Sequence, residues 1–151
     1  MEITYETIVD FMKAYFETYD KYGQHPETIH RLDEYYAENF GGRENGREET
    51  YKNWLNHPNL HDRLIPVHMI VDEKKHEVCV VCKAVQTNPH TGEILLTAVF
   101  SPCYNVILDE NNNLKLAGIG LVDIKEFPGL NSDQIAVLSW LFNIPPRNEA
   151  L

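Results

Sequence analysis

Basic residues are scarce in this sequence. Thirteen lysines and arginines stand against 23 aspartates and glutamates, which gives the 151-residue chain a net charge of -10. A surface of that sign repels phosphate backbones and anionic lipid headgroups. We therefore expect neither nucleic acid nor a membrane surface as a partner, and we expect the charge to keep the protein soluble.

Long apolar runs are also missing. The longest, at 94–108, is interrupted by several polar residues and a proline, which indicates a strand and not a membrane span. Glu2 and Glu6 stand where a secretory signal needs a basic start and an apolar run. We expect no such signal.

Cysteine is sparse as well, with three in the chain. An odd number excludes a framework in which every cysteine is paired. Cys79 and Cys82 have the spacing of a redox or zinc motif, but they lie in a β-branched run, where positions i and i+3 project to opposite faces of a sheet. We expect both to be small buried hydrophobic residues, and on that basis we expect a cytoplasmic location.

Several motifs that carry chemistry do not occur in the sequence. It contains no glycine-rich phosphate loop and no G-x-S-x-G nucleophile elbow. His57, His61 and Asp62 are close together, but their spacing fits no ligand pattern on a helix or a strand. We expect neither a metal nor a cofactor.

Hydrophobic periodicity predicts three helices at the start of the chain, at 4–22, 26–40 and 48–56, and a fourth at 131–142. Pro26 opens the second at a position where its missing N–H costs nothing. The apolar stripes are Ile8, Val9, Met12, Tyr15, Phe16 and Tyr19 in the first helix, Ile29, Leu32, Tyr36 and Phe40 in the second, and Tyr51, Trp54 and Leu55 in the third.

Between the third and fourth helices the period changes to that of strands. Short polar links with turn residues separate four extended runs, so neighbouring strands should pair antiparallel. The runs carry apolar residues on both faces and must be covered on both sides. They lie at 64–71, 77–87, 94–108 and 114–127.

Three helices followed by a four-strand meander resemble the nuclear transport factor 2-like superfamily, especially its SnoaL-like branch of polyketide cyclases, dehydratases and ketosteroid isomerase-like proteins. The resemblance covers residues 4–127. It implies an α+β, cystatin-like, cone-shaped fold, in which three helices pack on a curved antiparallel sheet of four to six strands around a ligand pocket. The helix at 131–142 is an addition. We expect one SnoaL-like domain over 1–151.

The segment 14–20 is similar to the first helix of SnoaL-like dehydratases, where a tyrosine and an aspartate five residues later serve the active site. The resemblance implies catalytic roles for Tyr15 and Asp20; the alternative is a core tyrosine and a solvated helix end. These dehydratases also use a histidine just before or within the first long strand. Here His61 is the candidate for moving a proton, and His68 for contacting the ligand.

Asp123 stands in the last strand where the bile-acid dehydratases carry an arginine, so the charge is reversed. It is a candidate for an acid/base group or an exposed edge carboxylate. Ketosteroid isomerases place a hydrogen-bond donor on the third strand, where this chain has Tyr104. We expect Tyr104, Tyr19 and Trp54 to line the pocket beside His68.

Two functions follow as hypotheses. One is a cofactor-independent lyase or isomerase that acts by acid/base chemistry on an apolar or ring-containing carbonyl compound. The other is a non-catalytic module of the same fold that binds a small hydrophobic molecule or dimerises. A further class is an interaction protein that uses the outer sheet face, which would explain why one side of a strand carries Glu77, Cys79, Val81, Lys83 and Val85. The resemblance implies a homodimer through that face.

Overall fold

The first helix begins where the sequence supplies a cap. In the computed structural model, which describes residues 2–23, 25–56, 63–88 and 90–126, Thr4 precedes α1 (Tyr5–Tyr22). The Thr4 hydroxyl accepts from the N–H of Thr7 at 3.2 Å, and the Thr7 hydroxyl accepts from the N–H of Thr4 at 2.8 Å. These bonds satisfy donors that a helix start leaves unpaired. The predicted stripe is buried at Ile8, Met12, Tyr15, Phe16 and Tyr19.

The prediction of a second long helix is wrong. Only Ile29–Glu34 is helical, and it is a 3₁₀ helix; a further 3₁₀ turn covers Phe40–Gly42. Between them the backbone pairs with a strand, because the N–H of Leu116 donates to the Tyr35 carbonyl at 2.6 Å and the N–H of Ala37 donates to the Leu116 carbonyl at 3.0 Å. A continuing helix cannot make these bonds.

The periodicity nevertheless identified the right buried residues in this segment. A 3₁₀ helix repeats every three residues, which suits the burial of Ile29 and Leu32. Tyr36 and Phe40 are also buried, although neither belongs to that helix. Apolar spacing therefore predicted burial correctly and the type of helix incorrectly.

The third predicted helix is confirmed as α2 (Gly46–Asn56). It begins tightly against the preceding turn, because a Cβ on Gly46 would lie 1.9 Å from the Phe40 carbonyl oxygen. No larger residue fits there without moving backbone. Tyr51 is buried, and Trp54 and Leu55 are half-buried, as the predicted inward face requires.

Four strands follow in the order of the sequence. They form an antiparallel sheet with the spatial order β1-β2-β3-β4, so the predicted α+β class and strand meander are confirmed. A cone shape for this sheet stays a prediction, and the helix predicted at 131–142 lies outside the described residues. The strands are β1 (Arg63–Asp72), β2 (Glu77–Thr87), β3 (Ile94–Leu108) and β4 (Leu114–Glu126).

The turn between β3 and β4 is fixed by one carboxylate. Oδ1 of Asp109 accepts from the backbone N–H of Asn111 and from that of Asn113, each at 2.9 Å. Asn112, between them, has a φ of 63°, a conformation that asparagine tolerates better than most residues. These backbone bonds hold the turn whatever the side chains at 111 and 113 are.

The chain divides into two compact units. The first contains the described parts of Met1–Asn59, Val71–Val78 and Tyr104–Ile119, and the second those of Leu60–Ile70, Cys79–Cys103 and Gly120–Leu151. The core of the first unit is built around α1 and includes Ile8, Met12, Tyr15, Phe16, Leu32, Tyr36 and Leu116. The core of the second unit includes Leu64, Met69, Ile70, Val80, Val81, Cys82, Ala84 and Val85.

The expected outer face of β2 is covered within the chain at two of its positions. Val81 is 0% exposed and Val85 is 8% exposed, although no partner chain is present. The homodimer through this face stays a prediction, and it cannot use these two side chains. No helix in the described part of the chain combines the length and the apolarity needed to cross a membrane.

The cysteine prediction is wrong for Cys79 and confirmed for Cys82. Cys79 on β2 is bonded to Cys103 on β3, a partner that lies 24 residues away and becomes a neighbour only when the strands pair. Cys82 is buried, and its thiol donates to the Val80 carbonyl at 3.8 Å. We expected a cytoplasmic location because we expected Cys79 and Cys82 to be unpaired. The disulfide of Cys79 removes that reason, because disulfides persist mainly in oxidising compartments.

Reduction of this disulfide should destabilise the protein. Closing a loop of 24 residues restricts the unfolded chain, so reduction should lower the free energy of unfolding by about 3 kcal/mol, measured by urea denaturation with and without a reductant. Under denaturing conditions one thiol should react before reduction and three after it. A Cys79→Ala/Cys103→Ala variant is the control and should not respond to the reductant; three reactive thiols before reduction would contradict the pairing.

Candidate functional site

Tyr15 and Tyr104, which we expected at the site, belong to a packed aromatic cluster. Tyr15 of α1, Tyr104 of β3 and Tyr36 are at most 2% exposed. The Tyr15 ring centroid lies 5.5 Å from that of Tyr36 and 5.8 Å from that of Tyr104, in edge-on contacts. The hydroxyl groups of Tyr15 and Tyr36 are hydrogen-bonded to each other. Tyr15 and Tyr104 therefore contact other aromatic rings, and their roles at a pocket stay predictions.

The cluster extends from Tyr36 towards α2. Its ring centroid lies 4.9 Å from that of Phe40, 6.0 Å from that of Tyr51 and 5.6 Å from that of Trp54. Tyr19 of α1 contacts Trp54 edge-on at 5.9 Å. Edge-on contacts of this kind add stability beyond the burial of area. Tyr19 and Trp54, expected at a pocket wall, contact each other's rings.

Burial gives Tyr36 a distinct electrostatic character. Its pKa is raised well above the ordinary value, first because burial removes water from the charged form and then because the Tyr15 and Tyr104 hydroxyls lie close. Tyr36 therefore stays neutral near pH 7. It can donate or accept a hydrogen bond but cannot serve as a base there.

The structure does not bring Tyr15 and Asp20 to one place. They are five residues apart on α1, which separates them by about 140° around the helix axis. Tyr15 is buried, whereas Asp20 is exposed. The helix thus directs one side chain into the core and the other to solvent.

The structure describes the other predicted catalytic and ligand-binding residues only in part. His68 is half-buried on β1, in the second unit. Asp123 lies on β4, but its side chain is outside what the structure describes. His61 is outside the described residues altogether. Their catalytic roles stay predictions.

A groove of about 500 Å³ lies on the first unit. α1 contributes the residues at 7, 10 and 11, which share one helical face because they are three and four positions apart. The end of the 3₁₀ helix contributes the Glu34 carboxylate and the Tyr35 ring, and residues at the start of β4 form the remaining side of the groove. The lining residues are Thr7, Asp10, Phe11, Glu34, Tyr35, Asn113, Leu114 and Lys115.

Lys115 ties the parts of this groove together. Its ammonium group donates to the backbone carbonyls of Asp33 and Glu34, each at 2.8 Å. Those carbonyls lie at the C-terminal end of the 3₁₀ helix, where carbonyl groups lack helical partners. A side chain from β4 thereby fixes the segment that carries Glu34 and Tyr35.

A third group of polar residues connects the 3₁₀ helix with α2. His30, Asp33 and Glu48 place potential metal-binding atoms within 4.8 Å of one another. Arg47 already supplies a cation to this group, with Nε 3.4 Å from Asp33 and 4.0 Å from Glu48. Tyr51 donates to Asp33 at 2.9 Å. These contacts make the group a half-exposed charge network that holds two helices together.

Sequence reasoning missed most of the groove. Phe11 lies outside the main apolar stripe of α1, and Tyr35 stands beside Tyr36 without a pattern of its own. Asn113 and Lys115 lie in a polar turn and a strand start about 80 residues further along the chain. Nothing in the local sequence links them to α1. By contrast, the regular spacing at 29, 32, 36 and 40 did identify Tyr36 as buried.

No protein-family model, curated protein or solved structure matches the chain. The resemblance to the nuclear transport factor 2-like superfamily therefore stays a prediction.

The hydrogen-bonded side chains of Tyr15 and Tyr36, which we call the phenol pair, should contribute measurably to the stability of the fold. Tyr15→Phe and Tyr36→Phe each break the same buried hydrogen bond, and each should lower the free energy of unfolding by about 1–2 kcal/mol. The double variant should lose less than the sum of the two, because both single variants remove one shared interaction. Urea denaturation measures all three. Tyr22→Phe, on the half-buried Tyr22, is the control; strict additivity would show that the pair is not coupled.

Stability should also fall in alkali. The pKa of Tyr36 is raised in the native state, so above about pH 10, the value for an unfolded tyrosine, the unfolded chain holds fewer protons than the native one. The free energy of unfolding must then decrease as the pH rises. Tyr36→Phe should flatten this decrease in urea denaturation between about pH 9 and pH 11. An unchanged slope in the variant would refute the assignment.

Proposed function

We propose that the protein is a non-catalytic domain that binds a small molecule in the groove formed by α1, the 3₁₀ helix and the start of β4. The observation that carries this proposal is the make-up of the groove. Phe11, Tyr35 and Leu114 contribute apolar surface, and the other five lining side chains are polar. Its volume of about 500 Å³ falls within the range of known ligand pockets.

The groove is built on fixed parts of the fold. Leu114 is buried, and Lys115 is bonded to two carbonyl groups. The Tyr35 hydroxyl is hydrogen-bonded to that of Thr18 at 3.1 Å, which limits the motion of its ring. A site that is ordered before binding loses less conformational freedom when the ligand arrives.

The tyrosine cluster supports a structural role better than a catalytic one. Tyr15 contacts both Tyr36 and Tyr104, and all three are almost completely buried. The carboxylate predicted to work with Tyr15, that of Asp20, is exposed. Acid/base catalysis needs its groups within hydrogen-bond reach of one substrate, and these two are directed apart.

A cofactor-independent lyase or isomerase is the second candidate. The phenol pair favours it, because a neutral phenol can donate to a substrate carbonyl that gains negative charge. The two candidates differ in where a ligand touches the chain. A groove ligand changes the nuclear magnetic resonance signals of Phe11 and Tyr35, whereas a substrate of the phenol pair changes those of Tyr15 and Tyr36.

A bulky side chain at the rim tests the groove. Asn113 is exposed and lines it, so Asn113→Trp should fill part of the space and weaken the binding of groove ligands about tenfold or more. The measurement is a titration of hits from a fragment library, detected by nuclear magnetic resonance. The turn should survive, because the Asp109 carboxylate holds the backbone N–H of residue 113.

The same turn offers a matched control. Asn111 is exposed, is held by the same carboxylate and does not line the groove. Asn111→Trp should bind the fragments like the wild type. Fragments that bind equally well to Asn113→Trp, or a library without a single groove binder, would overturn the proposal.

A further inference from the structure

We infer that the ligand of the groove is a small organic cation with an aromatic or apolar substituent. This inference rests on the proposed function and names the chemical class that the groove selects. Three observations lead to it: a pair of rings, a carboxylate beside each ring, and a lysine whose charge is already engaged.

The first observation is an aromatic corner. The centroids of Phe11 and Tyr35 lie 5.5 Å apart, with their planes inclined by 52°. Tyr35 is held from behind, because its ring also contacts Tyr15 of the buried cluster at 5.8 Å. Ring faces attract ammonium and quaternary ammonium groups that approach within about 6 Å of the centroid. Two inclined rings can contact one such group together.

The second observation is a carboxylate directly before each ring in the sequence. Asp10 precedes Phe11, and Glu34 precedes Tyr35. Both acidic residues line the groove and are exposed. Within the described part of the chain, no ion pair joins either of them to another side chain. Their charge is therefore left to attract a cation from solution.

The third observation concerns the positive charge already in the groove. The Lys115 ammonium donates to the carbonyls of Asp33 and Glu34, so it is positioned by backbone and not by the two carboxylates. Two acidic side chains against one basic one leave the lining with a negative charge. The net charge of -10 on the whole chain adds to the attraction for cations and repels anions.

A set of three probes tests this class of ligand on the full chain. Benzyltrimethylammonium is the cation, benzyl alcohol the neutral analogue and phenylacetate the anion. Titrations followed by nuclear magnetic resonance should show benzyltrimethylammonium shifting the signals of Asp10, Phe11, Glu34 and Tyr35. The other two should bind about tenfold more weakly or not at all.

Two variants test separately how the carboxylates and the aromatic rings of the groove contribute to cation binding. Asp10→Asn/Glu34→Gln should weaken the cation about tenfold and leave benzyl alcohol unchanged. Phe11→Leu should weaken the cation while keeping the groove apolar. The control is Glu17→Gln, which removes an exposed carboxylate from α1 outside the groove and should bind all three probes like the wild type.

The outcomes distinguish this inference from the proposed function. If benzyl alcohol or phenylacetate binds as tightly as the cation, and Asn113→Trp still removes that binding, the ligand class is wrong and the groove remains a binding site. The ligand class is also wrong if the doubly neutralised variant keeps its affinity for the cation. If no probe shifts the groove signals at about 10 mM, the inference fails, and the proposed function fails with it only when the fragment library also yields no groove binder.

Discussion

The fold of the first unit depends on the pairing of one short segment with the edge of the sheet. Leu116 of β4 exchanges two backbone hydrogen bonds with the chain at Tyr35 and Ala37. This pairing stops the 3₁₀ helix and sends two adjacent tyrosines into different surroundings. Tyr36 joins the buried cluster around Tyr15, whereas Tyr35 forms one wall of the groove. Core and groove are therefore products of the same backbone contact.

The tyrosine cluster shows how an apparent catalytic pattern can serve packing. A phenol buried with other phenols is costly to ionise, because burial and its neighbours both raise the pKa, as at Tyr36. Hydrogen bonding between the hydroxyls of Tyr15 and Tyr36 satisfies polar groups that would otherwise destabilise the core. The rings thus support Tyr35 from behind. The hydroxyl groups of the cluster are buried, whereas the polar groups of the groove lie at the surface, where a ligand can contact them.

The groove combines residues from three parts of the chain because β4 returns to the helices. Lys115, next to Leu116, reaches the carbonyls that end the 3₁₀ helix. That contact places Glu34 and Tyr35 opposite the face of α1 that carries Asp10 and Phe11. Two carboxylates and two aromatic rings consequently line the same groove, although each local stretch of sequence has the pattern of an ordinary solvent-exposed segment.

The sequence by itself determined the positions of α1, α2 and all four strands to within about two residues, since periodicity and turn residues are local signals. It also determined that Tyr36 is buried and that Cys79 and Cys82 do not pair. The tertiary structure decided three other things: the loss of the second helix to pairing with Leu116, the disulfide from Cys79 to Cys103, and the groove. Each of these depends on residues distant in the chain becoming neighbours, and no local pattern records which neighbours those are.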